Sequence, residues 1–210
     1  MKKYDLYLFD FDGTLINTME ALEFVFVVSY GHVGMTFDPK DTVDFSRISL
    51  TDGYARMKGK SENWKAFCKY IDISLDFPEA LHRNHPYPET HEFLDYIRKN
   101  NIPCGIVTSN DSIHVQKVLD NFEVPDDTFS FIIGNKQCDA FKPHPDPILK
   151  ALKRYNYKGP LDRVVYVGDG SNDMQCANNA GVDAILVDRI DAFEDSDKYT
   201  RIHNLMELFQ

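Results

Sequence analysis

The chain has 210 residues, 43% hydrophobic and 27% charged, enough apolar material for a sizeable core in one or two domains. A formal net charge of -10 and a pI near 5.1 exclude a general nucleic-acid binder, which needs clustered Lys and Arg, and disfavour an anionic membrane surface. A small phosphorylated molecule stays admissible as a partner, because one bound metal ion and one lysine reverse the local field.

Lys2 and Lys3 open the chain, but the segment Tyr4-Asp5-Leu6-Tyr7-Leu8-Phe9-Asp10 is too short and too charged for the apolar core of a signal peptide. No apolar run approaches the roughly 20 residues that span a bilayer, so the expectation is a cytoplasmic protein with no membrane partner. Residues 4–9 read as a short buried strand running into the polar turn Asp10-Phe11-Asp12-Gly13-Thr14. Residues 16–83 read as several helices with no convincing strand. Leu22, Val25 and Phe26 share a face over 19–29, and Trp64, Phe67, Cys68 and Ile71 share one over 62–73. Pro78 suits the first position of another short helix. His85-Pro86-Tyr87-Pro88 reads as a return hinge, because two prolines restrict the backbone and stop helices.

Further along, apolar runs at 102–107, 129–133, 164–167 and 184–187 alternate with helical spacing over 89–99, 111–122 and 147–155. This alternation indicates an α/β fold, a Rossmann-like parallel sheet with helices on both faces, interrupted by an inserted all-helical segment. The expected boundaries are 1–15 and 88–210 for the core and 16–87 for the insertion. The acidic run over 188–197 reads as a solvated loop. Cys68, Cys104, Cys138 and Cys176 form no CxxC pair and no zinc-like spacing with histidine, so free thiols in a reducing compartment are expected. The sequence leaves oligomeric state open.

Four segments carry candidate chemistry. Asp10 ends a strand and Asp12 follows two residues later, which exposes both carboxylates at the sheet edge where open parallel sheets bind ligands. Two close acids repel, so an ionised pair implies a cation beside them. Gly13 permits close backbone approach and Thr14 adds a hydroxyl, although the string alone also suits a loop that starts a helix. Thr108-Ser109-Asn110 follows the next predicted strand and forms a candidate phosphate cradle; capping of the following helix by Asn110 or Asp111 is the alternative. Lys142, set in Phe141-Lys142-Pro143-His144-Pro145, is placed to balance carboxylates and a phosphate, or is a simple surface charge. Gly168-Asp169-Gly170-Ser171-Asn172-Asp173 again puts acids at a strand end, a donor set suited to magnesium; Ser171 or Asp169 as a helix N-cap, with Asp173 in the first turn, is the other reading.

These segments, in this order, resemble the haloacid dehalogenase-like hydrolase superfamily, and the insertion matches the position of that family's helical cap. The phosphoglycolate phosphatase and beta-phosphoglucomutase branches are the most similar in style. The resemblance implies that Asp10 attacks phosphorus to form an aspartyl-phosphate and that Asp12 protonates the leaving oxygen and then activates water. It implies a magnesium ion held by Asp10, the Asp12 carbonyl and Asp169, with Asp173 as a direct or indirect ligand. Thr108, Ser109, Asn110 and Lys142 are implied to hold the transferring phosphoryl group. Asn17 stands where many members carry an aspartate, a departure at the cap entrance rather than in the chemistry.

The function implied is a magnesium-dependent phosphatase acting on a small phosphorylated metabolite. A phosphomutase using the same intermediate and a catalytically silent binding module are the competing readings. Dehalogenase or phosphonate-cleaving chemistry fits Asp12 and the Asp169 and Asp173 pair poorly. Substrate choice is expected in the insertion, where Arg47, Arg56, Lys58, Lys60, His32 and His82 are the cationic candidates.

Overall fold

The structure, a computed structural model, describes residues 1–46, 48 and 50–210; Arg47, one of the cationic candidates, lies outside them. The described chain forms two compact units, residues 1–16 with 86–210 and residues 17–85.

In chain order, strand β1 is Leu6–Phe9 and a short β2 is Ile16–Asn17. Helices α1 (Met19–His32), α2 (Thr42–Ser46), α3 (Leu50–Arg56), α4 (Trp64–Ser74) and α5 (Pro78–Leu81) follow, with Pro78 at the start of the last as its fixed φ favours. The two-residue β3 (His85–Pro86) pairs with β2 in a separate small sheet. Then come α6 (Thr90–Lys99), β4 (Cys104–Val107), α7 (Ser112–Asn121), β5 (Ile132–Ile133) and α8 (Asp146–Tyr155). The chain ends with β6 (Val164–Gly168), α9 (Ser171–Ala180), β7 (Asp183–Val187), β8 (Thr200–Ile202) and a closing 3-10 turn, Leu205–Phe209.

The main sheet has six strands in the order β5-β4-β1-β6-β7-β8, and each neighbouring pair is parallel. This is the α/β architecture expected from the alternating pattern. All four residues of β1 are buried, as are all of β4 and β6, which fits strands covered on both faces. Even-numbered β1 residues Leu6 and Leu8 pack with Val164 and Tyr166 of β6, Ile148 and Ala151 of α8, and Met174 and Ala177 of α9. The odd residue Phe9 turns to the other face, where its ring meets Phe93 of α6 edge-on at 5.3 Å.

Three local expectations need correction. Strand β8 was not foreseen, because Thr200-Arg201-Ile202 is too short and polar to show a strand period. Formal strand β5 is shorter than the apolar run 129–133, although Ser130 N–H donates to Cys104 O at 2.9 Å and extends the ladder. Residues 16–83 hold one strand pairing after all, at Ile16–Asn17, too brief for any pattern. Asn17 itself accepts a hydrogen bond from Met19 N–H at 3.2 Å at the entry to α1.

The helical unit has its own core of Phe26, Tyr30, Phe37, Phe45, Tyr54 and Phe67. Tyr30 stacks on Phe37 with ring centroids 5.2 Å apart, and Phe67 lies 4.6 Å from both Tyr30 and Tyr54. Arg56 is occupied locally, 3.8 Å from Asp44 and over the Phe45 ring. No helix among the described residues is long and apolar enough to cross a membrane. All four cysteines are unpaired thiols.

Phe67 has no exposed surface. Replacing it with alanine removes a ring that Tyr30, Tyr54 and Trp64 enclose, so Phe67→Ala should cost about 3–5 kcal/mol, read as a shifted urea midpoint for the helical unit.

Candidate active site

Strand β1 lies where the strand order reverses, with β4 on one side and β6 on the other. Open parallel sheets bind ligands beyond the carboxyl ends of their strands at such a point. Phe9 is in register with Ile106 and Val167, which sets the next residue, Asp10, level with Val107 and Gly168. Asp10 N–H donates to Val167 O at 2.8 Å, so the strand pairing itself holds the backbone of this acid. Thr108 and Asp169 lie one step further along the two flanking strands.

The turn after Asp10 closes tightly, with Gly13 N–H donating to Ile16 O at 2.8 Å and Leu15 N–H to Phe11 O at 3.0 Å. Gly13 has φ +80°, and a Cβ there would stand 2.1 Å from Asp169 Oδ2. Only glycine meets both conditions, so the turn from β1 and the acid from β6 share one space. Thr14 Oγ1 reaches Asp169 Oδ1 at 3.5 Å.

Asp173 serves two purposes. As the third residue of α9 its Oδ2 accepts from Gly170 N–H at 3.0 Å, which satisfies an open helix donor. Its Oδ1 accepts from Lys142 Nζ at 2.6 Å. Gly170, not Ser171 or Asp169, is the N-cap of α9. Lys142 also donates to Asp10 Oδ1 at 2.7 Å and lies 3.1 Å from the Tyr166 hydroxyl, so its three ammonium protons each have a partner. The side chains of Lys142, Asp10 and Asp173 are only 7%, 7% and 6% exposed.

Charge is unbalanced in this small volume. Burial lifts the Asp10 carboxyl well above its ordinary value, with the charges of Asp173, Asp169 and Asp12 adding to it against Lys142. Burial, and then the Asp173 charge, push Asp169 up to about 7. Burial pulls the Lys142 ammonium down, but Asp10 and Asp173 outweigh it and hold the lysine well above its usual range. One carboxylate oxygen each from Asp10, Asp169 and Asp173 lies within 4.8 Å of the others. Three clustered oxygen donors, with a glycine giving way beside one of them, fit a hard divalent cation. The Asp12 carboxylate stands outside this group and accepts from Asn110 Nδ2 at 3.4 Å.

Thr108 is buried, and its Oγ1 accepts from Asn110 N–H at 3.0 Å; Ser109 is exposed. The cap of α7 is Asp111, which accepts from Ile113 N–H at 3.0 Å, so Asn110 is not needed as a cap. The structure thus gathers Asp10, Lys142, Asp169 and Asp173 into one group, pairs Asp12 with Asn110 outside it, and sets Thr108 and Ser109 at the adjacent strand end.

Two features escaped the sequence reading. Tyr166 sits within the apolar run 164–167, yet its hydroxyl donates to Val107 O at 2.7 Å and lies 3.3 Å from Asp173 Oδ1. A tyrosine inside an otherwise aliphatic strand was the available signal, because a buried hydroxyl needs a partner. The acidic run over 188–197 is not all solvated loop: Asp188 is 2% exposed and accepts from Ala192 and Phe193 N–H, both at 2.9 Å. Burial pushes its pKa up, but those bonds, with the Ile190 N–H and Arg201, outweigh it and hold the carboxyl below its ordinary value. Arg189, next to it, bonds to Gly13, Thr14 and Glu89.

The family model described as haloacid dehalogenase-like hydrolase matches residues 7–187. Pyrophosphatase PpaX of Bacillus cereus is 28% identical over 190 residues, covering 88% of this chain and 83% of the relative. A Bacteroides fragilis structure assigned to the haloacid dehalogenase-like hydrolases superposes with a TM-score of 0.83 at 25% identity, covering 98% of this chain and all of that one. A predicted phosphoglycolate phosphatase from Haemophilus somnus shares the fold, with a TM-score of 0.71 at 21% identity, covering 89% and 86% of the two chains. With most of its length matched and its acids gathered at the switch point of the sheet, the chain belongs to the haloacid dehalogenase-like hydrolases.

Proposed function

We propose that this hydrolase is a magnesium-dependent phosphatase that acts on a small phosphorylated metabolite through an aspartyl-phosphate on Asp10. The observation that carries the reading is the position of the Asp10 carboxylate, just past the end of β1, 2.7 Å from Lys142 Nζ and within one three-acid group. Asp10, Asp169 and Asp173, with the Asp12 carbonyl, are the residues that would hold magnesium. When bound, the ion supplies positive charge that offsets the acids and the phosphoryl oxygens.

In this reading the free oxygen of Asp10 attacks phosphorus in line with the leaving oxygen. Asp12, with no link to Lys142 and one bond to Asn110, gives its proton to that oxygen. The same carboxylate then takes a proton from the water that attacks the aspartyl-phosphate. Lys142 screens charge beside the nucleophile, and Thr108, Ser109 and Asn110 offer a hydroxyl and backbone N–H groups to the phosphoryl oxygens. Splitting one displacement into two lowers each barrier. The unit 17–85 is read as the cap that sets substrate choice.

The test is phosphate release from a metabolite panel with and without magnesium. p-Nitrophenyl phosphate, sugar phosphates, phosphoglycolate and pyrophosphate belong in it, the last two because the relatives' names contain them. Release should require magnesium and stop on chelation. Asp10→Asn should lower kcat by roughly a thousandfold or more, the scale seen when a covalent nucleophile is removed. No turnover by folded protein across the panel, or full activity in Asp10→Asn, would falsify the reading. A second expectation concerns the turn. Gly13→Ala drives a methyl group into Asp169 and strains a positive φ, so it should abolish magnesium-dependent release and weaken magnesium binding measured by calorimetry.

A further inference from the structure

Arg189 lies two residues past the end of β7, after Asp188, and its side chain is only 16% exposed. Its guanidinium makes four hydrogen bonds to the chain. Nη1 donates to Gly13 O at 2.9 Å, and Nη2 donates to Thr14 O at 3.0 Å and to Glu89 Oε1 at 2.7 Å. Nε donates to the same Glu89 oxygen at 3.2 Å, and the Tyr87 ring lies under the guanidinium, 3.5 Å from its central carbon. Gly13 and Thr14 belong to the turn that begins with Asp10 and Asp12. Tyr87 and Glu89 belong to the returning chain just before α6. One side chain therefore gathers three distant stretches of sequence at the root of the catalytic turn.

We infer that Arg189 is a positioning residue for Asp12, holding the turn in working register by tying the Gly13 and Thr14 carbonyls to Glu89 and Tyr87. The inference rests on the reading of Asp10 and Asp12 as the catalytic pair. Two adjacent peptide oxygens directed at one group are matched by two N–H bonds in a planar fork, whose fixed geometry a rotating ammonium lacks. Glu89 and Tyr87 fix the fork in return, one by charge and one by stacking. Among the described residues the Asp12 side chain has one hydrogen bond, the 3.4 Å contact from Asn110, so its aim depends on the backbone that carries it. A second tie, from Thr90 Oγ1 to Leu15 O at 3.0 Å, acts one residue later and leaves the Gly13 and Thr14 carbonyls to Arg189.

The test compares Arg189→Lys, Arg189→Met and Glu89→Gln with the wild type, and Arg163→Met serves as a control for loss of a surface arginine paired with Asp5. Turnover of p-nitrophenyl phosphate with magnesium is measured beside amide hydrogen exchange at Leu15 and Ile16, whose N–H groups both bond to Phe11 O. Arg189→Lys and Arg189→Met should lower kcat about 10- to 100-fold, the usual cost of a misplaced catalytic group, with KM within about twofold. Glu89→Gln should fall between them and the wild type. Exchange at Leu15 and Ile16 should quicken in the same order, while Arg163→Met leaves both readouts unchanged. If Arg189→Met does not fold, the lysine and Glu89→Gln variants carry the comparison. Wild-type kcat in the Arg189 variants, or a loss confined to KM, overturns the positioning role even if thermal stability falls. A wild type without turnover defeats the phosphatase reading instead, and unchanged exchange in the variants then overturns the tie by itself.

Discussion

Lys142 sets one positive charge against Asp10 and Asp173, with Asp169 beside them, all at the carboxyl ends of β1 and β6. Like charges this close repel strongly in a medium from which water is largely excluded. The rest of the site is arranged around that repulsion. Gly13 and Gly168 leave no side chain where the acids must fit: a Cβ on Gly168 would stand 2.5 Å from Asp173 Cβ. Tyr166 ties the lysine and Asp173 to the backbone of β4 through Val107. A site built to hold an excess of negative charge is suited to a cation and a phosphoryl group arriving together, which is why electrostatics rather than shape leads the functional reading.

Much of this was legible in the sequence because the acids recur at one kind of position. Asp10 and Asp169 each follow a short apolar strand, and a parallel sheet sends every strand's carboxyl end to the same edge. The helices of the core were legible too, since Phe93, Leu94 and Ile97, or Ile148 and Leu152, repeat at helical spacing and are buried as that spacing requires, whereas Leu149, expected on the same face, is 46% exposed. What the pattern could not show was pairing between distant residues of ordinary type. Arg189 reads as one more charge in an acidic stretch, and nothing near it in sequence announces Gly13 or Glu89. Tyr166 reads as core, which it is, with its one polar atom turned to use. Strand β8 joins the sheet edge with a threonine and an arginine, so its membership depends on β7 rather than on its own composition.

The helical unit follows a different rule. Its core is a cluster of aromatic rings in tilted, edge-on and stacked contacts, contributed by short helices and their connections. Rings bury much area per residue with few rotatable bonds, so helices as short as α2 and α3 can still be anchored. The cost is that periodicity fades there: Phe37 lies outside any helix, and Phe45 and Tyr54 sit in helices of five and seven residues. Cationic residues in this unit are likewise drawn into local structure, as Arg56 is by Asp44 and Phe45.

The place of β1 in the middle of the sheet has a consequence for how the molecule breathes. Edge strands β5 and β8 each have one neighbour, while β1 is bonded on both sides and covered on both faces. Local fraying starts where backbone bonds are few and exposed, and reaches the central strand only when the cooperative unit opens as a whole. The backbone amide of Asp10, bonded to Val167, belongs to that last-opening set. The carboxylate at the heart of the site is therefore protected by the global stability of the core, and partial opening at the sheet margins does not release the strand that carries it.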